Sequence, residues 1–219
     1  MKVLIAGGTG ALGIPIVEQL IEAGHSVTGL TRTRLGAEHL QQLGARAVIA
    51  DAMERDALLR AIDGHEADAV VHQMTALKKA PVGKRDLDAT NRLRVAGTSH
   101  LVDAARVVGA RRFVTQSIVF GYGYRDHGDT VLTEESPFGM TDGRLFDPAV
   151  AAMASTEQQA FEADGIEGIA LRYGLLYGDD AAAVERMLRR RSLPVARHGG
   201  ELAFVHHRDA AAEIGRAHV

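Results

Sequence analysis

The chain has 219 residues, which is enough for one large α/β domain with a sizeable buried core. Hydrophobic residues make up 46%, charged residues make up 24% and the net charge is −3, so the composition gives no electrostatic basis for binding nucleic acid or an anionic membrane. The absence of cysteine excludes disulfides, thiol catalysis and cysteine-ligated zinc. None of the ten histidines forms an HxxxH or HExxH pair, so we expect no metal site.

The N-terminus passes directly from Met1 and Lys2 into a short apolar run. It lacks the long apolar core and the cleavage site of a signal peptide, and the chain has no apolar run of about 18 residues or more. These features predict a cytoplasmic protein that does not interact with a membrane.

Short apolar runs alternate with amphipathic segments along most of the chain. The predicted strands are 3–6, 26–30, 47–50, 69–72, 112–116 and 168–172. The predicted helices start near 14 and cover 37–43, 55–62, 87–108 and 149–163, and the stretch 121–148 is predicted as loop and rim of the active site. This alternation predicts a Rossmann-like, doubly wound parallel sheet of about six or seven strands with helices on both faces.

A glycine-rich turn, Gly7-Gly8-Thr9-Gly10-Ala11-Leu12-Gly13, connects the first predicted strand to the first helix. In a dinucleotide-binding unit the first glycine permits the tight turn, the second lets the backbone approach a pyrophosphate, and the third lets the helix pack on the strand. The N-terminus of the helix adds free N–H groups and a positive dipole. The turn therefore predicts binding of NAD or NADP.

The end of the second strand bears on the choice between these two cofactors. An NAD site places an acid there to bind the ribose 2′-hydroxyl, whereas this chain has Thr31 and Arg32, with Arg34 close by. A guanidinium suits a 2′-phosphate, so we favour NADP over NAD. The alternative is that Arg32 is only a solvated loop residue.

Several further motifs, in the expected order, resemble those of the extended short-chain dehydrogenases/reductases, the group that contains NAD(P)-dependent sugar-nucleotide epimerases and dehydratases. The resemblance covers residues 1 to about 212, and its segments are the glycine turn, 51–52, 71–74, 91–98, 115–121, 171–178 and 204–211. It implies a cofactor-binding set of Gly7, Thr9, Gly10, Ala11, Leu12, Gly13, Arg32, Asp51, Ala52, His72, Gln73, Gln116 and Tyr173.

The chain departs from that family at the catalytic pair, which is Tyr-x-x-x-Lys on the helix before strand six. The lysine lowers the pKa of the tyrosine, which transfers a proton as hydride moves. Lysine occurs only at positions 2, 78, 79 and 84, and none of these lies four residues after a tyrosine. The equivalent helix reads AAMASTEQQ over 151–159, with small residues in place of tyrosine and Ser155 or Thr156 in place of lysine.

Three interpretations of this departure remain open. The proton donor comes from elsewhere, with Ser117, Tyr122 and Tyr124 as candidates that could equally be ordinary loop or core residues. Alternatively, the substrate needs no tyrosine acid. In the third interpretation the protein is a non-catalytic NAD(P)-binding redox sensor. We take Ser117 and Tyr122 as the catalytic candidates.

The C-terminal region is short for the extended family, which needs a substrate-binding lobe. We expect a cofactor domain at 1–178 and the start of a truncated substrate lobe at 179–213. The last residues, 214–219, read IGRAHV, which matches the translation of a common sequencing adapter up to its stop codon. We therefore expect this tail to be non-native.

The resemblance implies oxidoreduction, epimerisation or dehydration of a sugar-nucleotide or other carbonyl substrate by hydride transfer. The cofactor would supply the reactivity and the protein the orientation. The expected partners are a small-molecule substrate and, in a possible homodimer, a second copy of the chain.

Overall fold

The computed structural model describes residues 1–77, 84–123, 126–139, 143, 146–178, 185–186, 189–190 and 203–216. The strands are β1 Lys2–Ala6, β2 Ser26–Thr31, β3 Arg46–Ile49, β4 Ala69–His72, β5 Arg112–Ile118, β6 Glu167–Tyr173, β7 Leu175–Tyr177 and β8 Phe204–His206. The helices are α1 Gly13–Glu22, α2 Arg34–Gln42, α3 Arg55–Ala61, α4 Lys84–Arg92, α5 Thr98–Val107, α6 Asp147–Phe161 and α7 His207–Arg216. A π-helical turn, Leu93–Gly97, joins α4 to α5, and a 3₁₀ turn, Val119–Tyr122, follows β5.

Six parallel strands form the main sheet in the order β3-β2-β1-β4-β5-β6. The chain leaves the sheet after β3 at one edge and returns as β4 beside β1, so the strand order reverses between β1 and β4. Such a switch point is where open α/β sheets bind ligands, at the carboxyl ends of the strands. The predicted Rossmann-like fold is confirmed.

Helices cover both faces of the sheet, as predicted. On one face, α3, α5 and α6 pack on a cluster that includes Val70 and Phe113. On the other face, α1, α2 and α7 pack on a cluster that includes Ile5 and Val71. Alternate residues of each strand therefore point into different cores, which decides on which side of the cleft a side chain at a strand end lies.

The structure corrects several predicted boundaries. Strand β5 runs to Ile118, two residues beyond the prediction, because Gln116, Ser117 and Ile118 continue the pairing with β6. Ser117 therefore lies within the strand rather than after it. Helix α6 starts at Asp147, with Pro148 in the first turn where a proline is tolerated. A second sheet of two parallel strands, β7 and β8, was not among the predicted strands.

Helix α7 lies at the C-terminal end of the described chain and packs on α1. Its residue Ile214, the first of the predicted non-native tail, is fully buried in the cluster of that face. Residues 217–219 of the tail lie outside the described residues. The division into domains and the origin of the tail stay predictions.

Candidate cofactor cleft and active site

The glycine turn is closed by contacts that allow no side chain at two of its positions. Gly7 has φ +96°, and a Cβ there would clash with the carbonyl oxygen of Gln73, the residue after β4. A Cβ on Gly13 would clash with the carbonyl oxygen of Gly7. These glycines therefore bring β1, β4 and α1 together at the switch point.

The tip of the turn faces solvent and has the properties of an anion-binding site. Thr9, Gly10 and Ala11 are exposed, and a Cβ on Gly10 would meet only the carbonyl oxygen of Gly7, at 3.3 Å. Leu12 is buried and anchors the turn. No side chain caps the start of α1 and its first turn has no acidic residue. The residues present fit a pyrophosphate at the N-terminus of this helix.

Beyond the turn, the end of β2 presents Arg32 to solvent. Thr33 caps α2 by accepting a hydrogen bond from the Gly36 N–H at 3.0 Å, which fixes the direction of this loop. Within the described ranges, Arg32 makes no ion pair or hydrogen bond. Its guanidinium is therefore exposed and available to a ligand at the end of β2.

The loop after β3 holds the predicted adenine-side pair. Asp51 accepts a hydrogen bond from the Met53 N–H at 2.9 Å, so its carboxylate shapes the loop itself. Ala52 is buried, and its carbonyl oxygen lies 2.8 Å from Nδ1 of His100 on α5. The sequence analysis missed His100, because its partner lies 48 residues away on a different element and no local pattern links the two.

His72 ends β4 but does not reach the cleft through its side chain. The ring is fully buried, its Nδ1 accepts from the Met74 N–H at 3.2 Å, and its Nε2 lies 3.1 Å from the Thr98 hydroxyl. Burial first, and then the positive charge of Arg94, lowers the pKa of His72 to about 4. The neutral ring therefore connects β4 to α5 through its hydrogen bonds. Because the ring is buried, only the backbone of His72 is left to contact a cofactor.

Polar side chains without partners gather at the carboxyl ends of β4, β5 and β6. Within the described residues, no hydrogen bond of standard geometry is made by the Ser117 or Thr115 hydroxyl, by either polar atom of the Gln73 amide, or by the Tyr173 hydroxyl. The Gln73 amide lies near enough to the Tyr173 hydroxyl to lower the pKa of that group slightly against the larger effect of burial. All four side chains are buried. Buried polar groups normally have partners, so this concentration of unsatisfied groups marks the edge where a bound ligand would supply them.

The residues at these strand ends differ in their hydrogen bonds and in the face of the sheet on which their side chains lie. Gln116 donates from Nε2 to the Met74 carbonyl oxygen at 2.8 Å and so ties the end of β5 to the segment after β4. Burial raises the pKa of the Tyr173 hydroxyl, which stays protonated. Gln73 and Tyr173 lie on the face covered by α1 and α7, whereas Ser117 lies on the face covered by α6.

The two catalytic candidates have different surroundings. Ser117 is 5% exposed and pairs in register with Arg172 of β6. Tyr122 is 7% exposed, donates its hydroxyl to the Thr133 carbonyl oxygen at 2.9 Å, and has its ring 4.8 Å from the Arg172 guanidinium carbon. This geometry favours Ser117 over Tyr122 as a group that meets a ligand. Tyr124 lies outside the described residues.

The face of α6 that looks toward the end of β5 is apolar. Ala149 and Met153 are each 1% exposed, and they pack in one cluster with Leu87, Val150 and Ile118. They are four residues apart, the spacing of a Tyr-x-x-x-Lys pair, and they carry neither an acid nor a cation.

Ser155 and Thr156, which the sequence analysis put in the place of the lysine, both have their hydroxyls hydrogen-bonded to neighbouring groups. The Thr156 hydroxyl donates to the Arg94 carbonyl oxygen at 2.8 Å and is buried beneath the helix. The Ser155 hydroxyl accepts from Gln159 Nε2 at 2.9 Å. The Thr156 hydroxyl is used in packing α6 on the π-helical turn, and the Ser155 hydroxyl is used in a hydrogen bond within α6.

A buried ion pair fixes α6 to β6. Arg172 donates to Glu157 from Nε at 2.9 Å and from Nη2 at 2.7 Å, and Glu157 is 3% exposed. The hydrogen bonds from Arg172 to Glu157 are the largest contribution that raises the pKa of the arginine, so the guanidinium remains charged. The sequence analysis missed this pair, since residues 15 apart on different elements share no local pattern.

No helix among the described residues is long and apolar enough to cross a membrane. In the same part of the chain, no three His, Cys, Asp or Glu side chains are grouped as a metal site would require.

Comparisons with known proteins identify the family of this chain. A family profile described as "NAD dependent epimerase/dehydratase family" matches residues 3–215. The chain is 39% identical to a 3-diazoavenalumate denitrifying reductase of Streptomyces over 96% of its length, and 30% identical to a 2-alkyl-3-oxoalkanoate reductase of Stenotrophomonas maltophilia over 87%. It spans 69% of the first of these relatives and 56% of the second.

Solved structures show the same fold. The UDP-glucose 4-epimerase of Thermus thermophilus in complex with NAD has a TM-score of 0.76 and 26% identity, over 99% of this chain and 74% of that one. An enzyme of Bordetella bronchiseptica in complex with NAD⁺ has a TM-score of 0.74 and 21% identity, over 99% of this chain and 71% of that one. The predicted class, an NAD(P)-dependent oxidoreductase or epimerase, is confirmed at the level of the family. The chain belongs to the NAD dependent epimerase/dehydratase family.

Proposed function

We propose that this protein is an NAD(P)H-dependent reductase whose small-molecule substrate accepts hydride without a proton from a tyrosine. The observation that carries this proposal is the apolar pair Ala149 and Met153 on the face of α6 that meets the end of β5. A carbonyl that accepts hydride becomes an alkoxide, which needs a proton, and this face holds no proton donor.

The cofactor fits the residues that are present. The glycine turn seats the pyrophosphate, and the carboxyl ends of β4 to β6 offer the unsatisfied side chains of Gln73, Ser117 and Tyr173 to the nicotinamide half and the substrate. The bound cofactor would supply the hydride. The chain itself excludes water with the apolar cluster around Met153 and orients the acceptor.

A substrate that loses a leaving group when it accepts hydride needs no proton from a tyrosine. When hydride adds to a carbon that bears a diazonium group, the C–N bond breaks, dinitrogen leaves with the bonding electrons, and the product is neutral at that carbon. No oxygen gains a charge in this step, so no acid is required. The name of the relative at 39% identity, a denitrifying reductase of a diazo compound, supports this acceptor class over a sugar nucleotide.

We also propose NADP as the preferred cofactor. The support is the exposed Arg32 directly after β2, together with Arg34 at the start of α2, where an NAD site has an acid. A 2′-phosphate would pair with a guanidinium that has no other described partner.

A homodimer is proposed as well. Val95 and Phe161 expose 47% and 57% of their surface on neighbouring helical segments, since Gln159 of α6 donates to the Val95 carbonyl oxygen at 3.1 Å. Large apolar side chains that are exposed side by side favour burial against a second copy.

The test uses the purified protein with NADPH and a matched panel of acceptors. The panel contains an aryl diazonium, the corresponding aryl ketone and a UDP-sugar, and the readouts are NADPH oxidation, dinitrogen release and product mass. We expect turnover with the diazonium only, and deuterium from 4-deuterated NADPH at the former C–N carbon. Ser117→Ala is expected to slow this turnover about tenfold, with Thr130→Ala on the exposed loop as the control. Turnover of the ketone alone, or dinucleotide binding without turnover of any acceptor, would overturn the proposal.

A further inference from the structure

We propose that Arg172 donates a hydrogen bond from Nη1 to an uncharged oxygen of the substrate, and that the Ser117 hydroxyl donates to the same oxygen. This inference rests on the proposed function and deepens it, because it assigns a polar group of the substrate to two named donors. It goes beyond the ion pair with Glu157, which uses only one edge of the guanidinium.

Arg172 and Ser117 are neighbours on the same face of the sheet. They pair in register on β6 and β5, and neighbouring strands of a sheet lie about 5 Å apart. Ser117 lies four residues after Phe113, which belongs to the cluster on the face covered by α6. Arg172 bonds to Glu157 of that helix. Because side chains alternate between the faces of a strand, both residues point toward α6 near the carboxyl ends of their strands.

The guanidinium of Arg172 is held on three sides. Its Nε–Nη2 edge faces Glu157, so Nη1 lies on the side away from that carboxylate. The guanidinium carbon lies 4.8 Å from the centre of the Tyr122 ring and 5.0 Å from the centre of the Phe138 ring. The hydrogen bonds to Glu157 raise the pKa of Arg172 most, and the nearby Tyr122 hydroxyl adds to this effect. The group therefore donates hydrogen bonds without releasing a proton.

Two buried donors on these neighbouring strands have no partner. Among the described residues, neither Arg172 Nη1 nor the Ser117 hydroxyl makes a hydrogen bond of standard geometry. A buried donor that stays unpaired costs free energy, so a ligand atom that accepts from both donors is favoured. A carbonyl oxygen has two lone pairs and can accept two hydrogen bonds.

The charge at this place favours an uncharged oxygen over an anion. Glu157 is 3% exposed, and its carboxylate already neutralises Arg172. An anionic ligand beside the pair would be repelled by Glu157 in a buried region, where water and salt screen charges only weakly. A carbonyl or hydroxyl oxygen accepts both hydrogen bonds without adding a charge.

Phe138 covers Arg172 in the structure. It is half-buried and belongs to a loop whose residues 131–135 are exposed. Its ring contacts the guanidinium and also packs against the apolar cluster that contains Met153. The place of this ring thus accepts a flat arene, and an aromatic substrate that carries the oxygen would replace Phe138 there.

The experiment compares arenes of matched shape, which are acetophenone with a neutral oxygen, benzoate with a charged one and α-methylstyrene with none. Each is titrated by ligand-detected NMR into the NADP⁺ complex of the wild type, Ser117→Ala, Arg172→Lys and Arg112→Lys. The oxidised cofactor prevents turnover. Arg172→Lys keeps a cation beside Glu157 and removes Nη1. Arg112, which pairs with Glu167 at the other end of the same two strands, is the control.

We expect the wild type to bind the ketone about tenfold more tightly than the alkene, and at least as tightly as benzoate. Ser117→Ala and Arg172→Lys should each weaken ketone binding about fivefold and leave alkene binding unchanged, whereas Arg112→Lys should change neither. Equal ketone and alkene affinities in the wild type, tightest binding of benzoate, or equal losses for ketone and alkene in the variants would overturn the inference. Loss of NADP⁺ affinity without loss of ketone binding would also overturn it, because the donors would then serve the cofactor.

The NMR signal of the Arg172 guanidinium N–H groups in the wild type is a readout that needs no variant. It should shift with the ketone and not with the alkene, and an unchanged signal would contradict the role of Nη1. Phe138→Ala should bind the ketone more tightly, since the cover is removed, and weaker binding would overturn the proposed access to Arg172. Absence of hydride transfer to a diazonium would overturn the proposed function alone, because ketone binding is measured without hydride transfer.

Discussion

Arg32 is the residue on which the proposed cofactor preference depends. Its guanidinium is exposed after β2 and has no partner among the described residues, so its removal should leave the fold unchanged. We expect Arg32→Ala to weaken NADPH binding about tenfold and to leave NADH binding within about twofold, as measured by nicotinamide fluorescence. Arg60→Ala, an exposed arginine of α3, is the control. Equal NADPH and NADH affinities in the wild type would contradict the preference.

His72 makes the stability of the protein depend on pH in a defined window. Its pKa is about 4 in the folded protein and about 6.5 in the unfolded chain, so only the unfolded state takes up the proton between these values. The contribution is fully present above about pH 6.5 and is lost as the pH falls toward 4, by about 3 kcal/mol in total.

Urea unfolding at several pH values between these limits tests this contribution. The wild type should lose more stability than His72→Asn over the same range, since the variant lacks the titrating ring. The carboxylates that also titrate in acid are common to both proteins and cancel in the difference. Parallel curves for the two proteins would show that the ring is accessible to protons in the folded state.

At the scale of elements, α6 carries the difference between this chain and a tyrosine-dependent reductase. Its buried residues Ala149 and Met153 pack with Leu87 and Ile118 and carry no polar group. Met153→Lys would place an ammonium in this apolar cluster, and we expect a loss of about 3 kcal/mol or more in unfolding free energy. Phe161→Lys, at an exposed position of the same helix, should cost less than about 1 kcal/mol.

Chemical denaturation of both variants measures these free energies. A Met153→Lys protein as stable as the wild type would mean that position 153 is open to water. In that case the absence of a lysine there would not reflect an apolar site.

The sequence predicts the sheet well because its signals are local. Each central strand is a short apolar run closed by glycine or a polar residue, and the glycine turn can adopt its conformation only with glycine at positions 7 and 13. The short strands β7 and β8 have no such signal, since they pair only with each other across a long segment of the chain. Strand β5 extends to Ile118 because of its partner β6, which the local pattern does not contain.

The candidate site was predicted less completely, because its geometry depends on contacts between elements that are distant in sequence. The rotation of α6 decides which of its residues face the cleft, and helical spacing alone allows either the pair 149 and 153 or the polar residues 155 and 156. The hydrogen bond from Thr156 to the Arg94 carbonyl oxygen shows that this hydroxyl is used in packing α6 on the π-helical turn, which the spacing does not reveal.

For the whole molecule, the proposed dimer depends on an exposed apolar surface. Phe161 and Val95 are the exposed large apolar residues on adjacent helical segments of α6 and the π-helical turn. Phe161→Glu should convert a dimer to a monomer in light scattering with size separation, because it places charge in the interface. Val131→Glu, at an exposed loop position, is the control. A wild type that is monomeric at micromolar concentration would contradict the proposal.

The central claim is that hydride transfer here needs no proton from the protein. Single-turnover kinetics with the aryl diazonium test it directly, by comparing NADPH with 4-deuterated NADPH and ordinary water with deuterated water. We expect a primary isotope effect from the cofactor, a solvent isotope effect near one, and a rate that stays flat over about pH 6 to 9. A solvent isotope effect of about two or more, with a rate that follows an ionisation in that range, would show that a protein acid takes part and would contradict the claim.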